Sequence, residues 1–240
     1  MSKVLEVQGL SKHFSGLAAV DQVSFTLDDG DMAALIGPNG AGKTTCFNML
    51  GGALPASAGR IRFKGTDITT WPAHRRAFAG VGRTFQIAQT FRSMTVRENV
   101  ETALLTAHRD PAAATPLLDE IGIADKAAQA VTELAYGDVK RVELAMVLAT
   151  EPQLLLLDEP TAGMAGGERR LIMQTISALV AARGITVLFT EHDMDAVFGF
   201  ASRLLVLSQG RMIADGSPDA VRADALVQDV YFGDAGGDDA

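Results

Sequence analysis

The chain has 240 residues, 48% apolar and 21% charged, the balance of an ordinary globular protein. Its net charge of −8 argues against general nucleic-acid binding. The single cysteine, Cys46, excludes an internal disulfide, suits a reducing compartment and reads as a buried helix residue rather than a reactive thiol.

Part of the negative charge lies in the tail from Asp234 to Ala240, whose Asp238 and Asp239 read as solvated and disordered. Met1 to Glu6 lacks the apolar core of a signal peptide. No apolar run approaches the ~20 residues that span a bilayer. The expectation is a soluble, cytoplasmic chain, whatever it later binds.

Val4 to Gln8 and Val23 to Leu27 read as strands, separated by Ser15 to Val20. Phe14 sits on this β-rich entry. Met32 to Ile36 is a short apolar run, predicted as a buried strand. It leads into Gly37-Pro38-Asn39-Gly40-Ala41-Gly42-Lys43-Thr44-Thr45, which fits the phosphate-binding P-loop pattern G-x-x-x-x-G-K-[ST]. Cys46 to Leu50 then reads as the first turns of a helix. That strand–loop–helix context is what the motif requires. Glycines let successive N–H groups turn inward toward phosphate oxygens, and the helix N-terminus adds partial positive charge. Lys43 would reach the β- and γ-phosphates of a bound nucleotide, and the Thr44 hydroxyl would ligate Mg²⁺.

Pro55 to Gly59 is a loop and Arg60 to Lys64 a strand; Trp71-Pro72-Ala73 starts a helix. Val81 to Phe85 is a strand ending at Gln86, a side-chain amide able to reach both Mg²⁺ and a water, or simply polar surface. Between residues 93 and 133 β-branched runs give way to short helices over Thr95–His108, Pro116–Ile121 and Asp125–Val131, with Asp110 to Ala114 as a linker. This reads as a small helical insertion in an α/β frame. Gly137 to Thr150 has the apolar spacing of an amphipathic helix.

Leu154 to Leu157 is an apolar strand tipped by Asp158 and Glu159. With a P-loop upstream this is a Walker B arrangement: Asp158 for the Mg²⁺ shell, Glu159 to accept a proton from the attacking water or orient it. A strand ending in solvated acids is the plain alternative. Glu168 to Ala182 is a helix ended by Gly184, and Ile185 to Thr190 a third buried strand. His192 follows it, where ligands gather in open α/β sheets, and could donate to a γ-phosphate. Asp193 to Phe200 is a helix, Leu204 to Ala214 a hairpin across Gln209-Gly210, and Pro218 to Phe232 short closing helices. The alternation predicts a largely parallel sheet with helices on both faces.

The P-loop, Gln86, Leu134-Ala135-Tyr136-Gly137-Asp138, Asp158-Glu159-Pro160-Thr161 and His192 occur in the order of ABC ATPases. The chain resembles an ABC transporter nucleotide-binding subunit over nearly its whole length. The resemblance implies a P-loop NTPase of α/β class, with a mostly parallel core sheet, an N-terminal antiparallel β part and a small helical insertion. It implies an ATP-binding core over residues 1–92 and 134–240, with the helical insertion at 93–133. It makes Phe14 the aromatic that stacks on adenine, with Val20 beside it; a core role is the alternative for Phe14. It makes residues 134–138 the signature loop that closes on ATP held by a second cassette, through Ala135, Tyr136, Gly137 and Asp138. Gly163-Met164-Ala165 aligns with the dimer-contacting D-loop.

A finer resemblance, carried by Phe14 through Val20, Arg83 to Gln86, Leu134 to Gly137 and Tyr231-Phe232-Gly233, is to the subgroup serving branched-chain amino-acid importers and their amide or urea relatives. It implies an ATPase on the inner face of the cell membrane. Its partners would be an identical or paralogous cassette, two permease subunits and an extracytoplasmic solute-binding protein. Three residues depart from the family pattern: Ala135 replaces the usual Ser, Asp138 the usual Gln and Ala165 the usual Asp. Ala135 and Asp138 are therefore expected to weaken the ATP-closed dimer, Asp138 by repelling the triphosphate. A non-transport ABC ATPase is the rival reading; single-cassette length, acidic charge and the lack of coiled-coil arms weigh against it. A P-loop kinase or GTPase would leave residues 134–138 unexplained.

Overall fold

Four apolar runs form the centre of the molecule. In the computed structural model, which describes residues 2–232, these are β3 (Met32–Ile36), β7 (Leu154–Asp158), β8 (Thr186–Thr190) and β9 (Arg203–Ser208). With β6 (Val81–Arg83) and β10 (Arg211–Gly216) they make a six-stranded sheet in the order β10-β9-β3-β8-β7-β6. All neighbours are parallel except β10, which returns antiparallel to β9.

Alternate side chains of these strands feed two cores. Met32, Ala34, Ile36, Leu155, Leu157, Val187, Phe189, Leu204 and Val206 face one. Ala33, Leu35, Leu154, Leu156, Leu188, Leu205 and Leu207 face the other. Two-sided burial explains why the strands are almost wholly apolar.

The first face is covered by helices α3 (Val96–Thr106), α4 (Ala114–Ile121), α5 (Tyr136–Leu148), α6 (Gly166–Arg183) and α7 (Met194–Phe200), with the closing helices α8 (Pro218–Ala223) and α9 (Ala225–Phe232). The second face is covered by α1 (Lys43–Leu50) and by a second, antiparallel sheet. That sheet has the order β2-β1-β4-β5, from β1 (Lys3–Phe14), β2 (Leu17–Asp28), β4 (Ala58–Phe63) and β5 (Thr66–Asp67). Helices therefore lie on both faces, as expected, but on the second face an antiparallel sheet shares the cover with α1. Helix α2 (Ala73–Phe78) lies just before β6.

Other expectations need correction. β1 and β2 form one long hairpin turning at Ser15 and Gly16, so Leu17 to Val20 belong to a strand. Register shifts between Val7 and Leu10, Leu10 and Lys12, and Lys12 and His13 break the period-two pattern that marks a strand. Asp125–Val131 is not a helix. It holds a 3₁₀ turn at Ala124–Lys126, and Ala130 bridges to Thr95 in extended form. The linker at Asp110 is a 3₁₀ turn over Pro111–Ala113, with the Asp110 carboxylate accepting from the Ala112 N–H at 2.9 Å. The short β5 and its Lys64-Gly65 turn carry no apolar signal.

Local chemistry fixes several ends. Thr95 and Glu98 form a reciprocal capping box on α3. Asp193 caps α7 by accepting from the N–H groups of Asp195 and Ala196. The acidic tail and Gly233 lie outside the described residues.

Candidate nucleotide site

The P-loop is shaped by close approach as much as by turn geometry. Gly37 has φ +155°, and a Cβ there would stand 2.2 Å from the Leu207 carbonyl oxygen. Gly42 has φ +100°, and a Cβ there would stand 2.4 Å from the Ala19 carbonyl oxygen. Neither position admits a side chain. The β9–β10 turn buttresses the loop, its Gly210 N–H donating to the Ala41 carbonyl at 3.0 Å.

Asn39, Gly40, Ala41, Gly42, Lys43, Thr44 and Thr45 line one wall of a cleft of about 220 Å³, and Glu159 and His192 line the other. Lys43 Nζ donates to the carbonyls of Gly37 at 2.6 Å and Pro38 at 3.1 Å. Burial lowers its pKa, while Glu159 and Asp158 oppose that shift. The cation is thus desolvated and held against its own loop, a state that an incoming polyphosphate improves.

Glu159 is the hub of the opposite wall. Its Oε2 accepts from Gln86 Nε2 at 3.0 Å, and its Oε1 lies 2.9 Å from His192 Nε2. Its backbone is left-handed at φ +47°, rare for a residue with a side chain, and its N–H donates to Thr190 Oγ1 at 3.0 Å. That hydroxyl donates in turn to Asp158 Oδ1 at 2.9 Å. One threonine on β8 therefore orients both acids. Arg83 Nη2 approaches Asp158 Oδ2 at 3.6 Å and donates to Asn48 Oδ1 at 2.7 Å, tying β6 and α1 to the same carboxylate.

The remaining expected residues fall elsewhere. Phe14 is 45% exposed at the hairpin tip, with Lys12 Nζ 5.2 Å from its ring centre, so it is not a core residue. Val20 is fully buried, close under Gly42; Ala19, which carries no sequence signal of its own, lines the cleft instead. Ala135 is the N-cap of α5, with extended backbone and no side-chain bond. Tyr136 Oη donates to the Gln86 carbonyl at 3.0 Å, which joins the start of α5 to the Gln86 loop. Gly137 is buried in the first turn of α5. Asp138 pairs with Lys126 and lies 3.7 Å from Arg141, so its charge is answered within the chain. This removes much of the repulsion expected of it.

A second contact that the sequence does not signal comes from the C-terminal end. The Tyr231 phenol is hydrogen-bonded to the backbone of Gly37, and burial pushes its pKa up to about 12. Burial likewise pushes the Cys46 thiol up to about 12, in keeping with an unreactive helix residue.

Residues 20–162 match the family model of the ABC transporter, which holds the P-loop, Gln86, the 134–138 loop and both acids. The chain belongs to the ABC transporter family. It is an ATP-binding cassette, an α/β P-loop ATPase of a transporter. Residues 211–236 match a second model, that of the branched-chain amino acid ATP-binding cassette transporter.

The cassette is 36% identical to the high-affinity branched-chain amino acid transport ATP-binding protein BraF of Pseudomonas aeruginosa, over 97% of this chain and 98% of that one. It is 37% identical to LivG of Salmonella typhimurium, a protein of the same description, with the same coverage. It is also 36% identical to the lipopolysaccharide export system ATP-binding protein LptB of Escherichia coli, over 96% and 97%. Among solved structures it is similar to an ABC transporter cassette in its ADP conformation. The TM-score is 0.87, at 31% identity over 97% of this chain and all of that one. A nucleotide-free cassette gives 0.86 at 30% identity, over 95% and 98%.

Proposed function

We propose that the cassette powers uptake of branched-chain amino acids through a pair of membrane permeases, with Mg²⁺ as the nucleotide's companion ion. The observation that carries this is the cleft between the P-loop and Glu159, together with the C-terminal match at residues 211–236. That match favours the amino-acid subgroup over lipopolysaccharide export and over a non-transport ABC ATPase.

The donor set fits a magnesium nucleotide. Among the described residues no group of three or more His, Cys, Asp or Glu could hold a metal alone. A magnesium ion on a nucleotide asks for less: one or two oxygen ligands from protein, the rest from phosphate and water. Thr44 in the cleft and Asp158, with Gln86 near by, would supply them. The ion would neutralise charge on the phosphates.

In catalysis Lys43 would leave its two loop carbonyls for the phosphates. Glu159 would accept the proton of the attacking water while Gln86 and His192 hold its carboxylate in place. Phosphoryl transfer needs little else beyond positioning and charge neutralisation.

Partner surfaces fit the same reading. Among the described residues no helix is long and apolar enough to cross a membrane. Beside the Gln86 loop lies an open groove of about 310 Å³, lined by Phe85, Gln89, Phe91, Ala103, Met146 and Val147. Ile87 and Leu105 are exposed near the Gln86 loop and along α3. An apolar, partly charged groove on a membrane-partnered subunit suits an amphipathic helix from a permease on the inner membrane face. Two cassettes, identical or paralogous, would close on two nucleotides. Residues 93–133 would form the helical part that carries the signature loop toward the opposite cassette.

The test is reconstitution of the cassette with its membrane subunits and solute-binding protein in vesicles. Leucine uptake driven by enclosed Mg-ATP, and lost in Lys43→Ala, is the expected result. ATP-driven uptake of urea or short amides without leucine would move the solute; failure to copurify with any permease would end the transport reading.

A further inference from the structure

Helix α5 (Tyr136–Leu148) carries Tyr136, Lys140 and Glu143 at helical spacing, so they share one face. All three hold the backbone of the Gln86 loop. Tyr136 Oη donates to the Gln86 carbonyl at 3.0 Å, and Lys140 Nζ donates to the Phe85 carbonyl. Glu143 Oε1 accepts from the N–H groups of Phe85 at 3.2 Å and Gln89 at 3.0 Å. Four backbone groups between residues 85 and 89 are therefore fixed by one helix.

Two of these side chains are an unusual choice for such a place. Lys140 and Glu143 are each only 3% exposed at the side chain, with Nζ and Oε2 3.6 Å apart. Oε2 makes no hydrogen bond. A buried ion pair is weak as a source of stability, since apolar residues of similar volume often serve as well. What the pair supplies is direction: a cation for a carbonyl and a carboxylate for two N–H groups, on a loop whose residues 85–89 make no backbone–backbone hydrogen bond with one another. Burial raises the Glu143 pKa and lowers that of Lys140, and each partner's charge opposes the other's shift.

We propose that Glu143 and Lys140 are positioning residues for hydrolysis. They hold residues 85–89 so that Gln86 reaches Glu159, and they link the signature end of α5 to that contact. Glu143, Phe85 and Gln89 also line the apolar groove, so whatever occupies the groove touches the same network. The inference rests on the role proposed for Gln86 and names what sets it.

The experiment is a double-mutant cycle on the full chain, at protein concentrations high enough for steady hydrolysis. Glu143→Ala and Tyr136→Phe are made alone and with Gln86→Ala. Each is measured for kcat, KM, affinity for a fluorescent ATP analogue and melting temperature. Misplacing a group beside the chemistry by about 1 Å costs on the order of 10²-fold. Glu143→Ala is therefore expected to lower kcat about 10- to 100-fold with nucleotide affinity unchanged, and Tyr136→Phe by less. Neither should lower kcat further once Gln86 is Ala. Losses that multiply in the Gln86→Ala background, or that fall on nucleotide affinity, overturn the inference and leave Glu143 a structural residue. Full activity in Gln86→Ala alone removes the role of Gln86, and the inference with it. If Glu143→Ala does not fold, Tyr136→Phe decides the matter by the same criteria, since it deletes only one hydroxyl from a half-exposed ring.

Discussion

The two halves that this chain would contribute to the proposed ATP sandwich are built differently. The P-loop half is closed on itself: Lys43 on two loop carbonyls, Thr190 on the Asp158 carboxylate and the Glu159 N–H, Gln86 and His192 on the Glu159 carboxylate. The signature half offers less, since its Tyr136 hydroxyl is taken up by the Gln86 carbonyl. Ala135 offers no side-chain donor, and Asp138 is occupied by Lys126 and Arg141. A half that binds nucleotide by itself must be preorganised in the single chain. A half that meets nucleotide only across an interface has no such requirement, and can leave its closure to partners.

If that contrast holds, damage to the first half abolishes binding or chemistry, and change in the second tunes association. The largest effect belongs to Lys43→Ala. It removes the buried cation of the cleft that the proposed mechanism sets on the phosphates, and tight ATP binding should vanish in titration calorimetry. Affinity within a few-fold of the parent would place the phosphates elsewhere.

Glu159→Gln comes next. The amide cannot take the water's proton, so turnover should fall about 10²-fold or more. Nucleotide binding should persist, because Lys43 and the loop N–H groups are untouched. Near-normal turnover in a phosphate-release assay would shift the base to another group, with His192 the nearest candidate.

Phe14→Ala should cost less. Stacking of a base on an aromatic ring is worth roughly 1–3 kcal/mol, and the loss should be similar for ATP and GTP because a ring face reads no base edge. The ring is half-exposed, so melting temperature should hold. A lower melting point with unchanged ATP affinity would give Phe14 back to the hairpin.

Much of this was legible in the sequence, for physical reasons that also explain the gaps. Buried parallel strands must be apolar on both faces, so β3, β7, β8 and β9 stood out. Their carboxyl ends then placed the P-loop, Asp158 and His192. Bulges hid the extra length of β1 and β2, because each shift moves the apolar residues to the opposite phase. Thr190 gave no motif of its own, and Arg83 counted only as part of the Arg83 to Gln86 resemblance; their contacts with the acids acquire meaning only when β7 lies between β6 and β8. Lys140 and Glu143 are charged residues at buried positions of α5, and their role shows only once the Gln86 loop is seen packed against them. The pairing of Asp138 with Lys126 depends on a segment whose sequence reads as helix and whose backbone is a 3₁₀ turn.

The smallest effect, and the finest test of the contrast, lies at Ala135. Its backbone is already extended, as an N-cap requires, and a Ser hydroxyl there could accept from an N–H of the first turn of α5. Such a cap is worth about 0.5–2 kcal/mol, which in a chain of this size raises the melting point by a few degrees. A hydroxyl also has a proton to donate. In a closed dimer it could donate to the γ-phosphate of the opposite cassette, worth about 1.5–3 kcal/mol, twice in a symmetric pair. Ala135→Ser in a Glu159→Gln background should therefore raise both melting temperature and ATP-dependent dimerisation, the latter by sedimentation with Mg²⁺ and ATP. The parent should remain mostly monomeric. Asp138→Gln separates the two contributions. It frees Lys126 and Arg141 from a partner without adding a donor at the N-cap, so it should lower the melting point slightly and move the dimer constant little. If Ala135→Ser melts higher but dimerises no better, the hydroxyl serves only its own helix and the backbone amides of α5 make the contact alone. If Asp138→Gln dimerises as strongly as Ala135→Ser, charge rather than the missing donor keeps the signature half open.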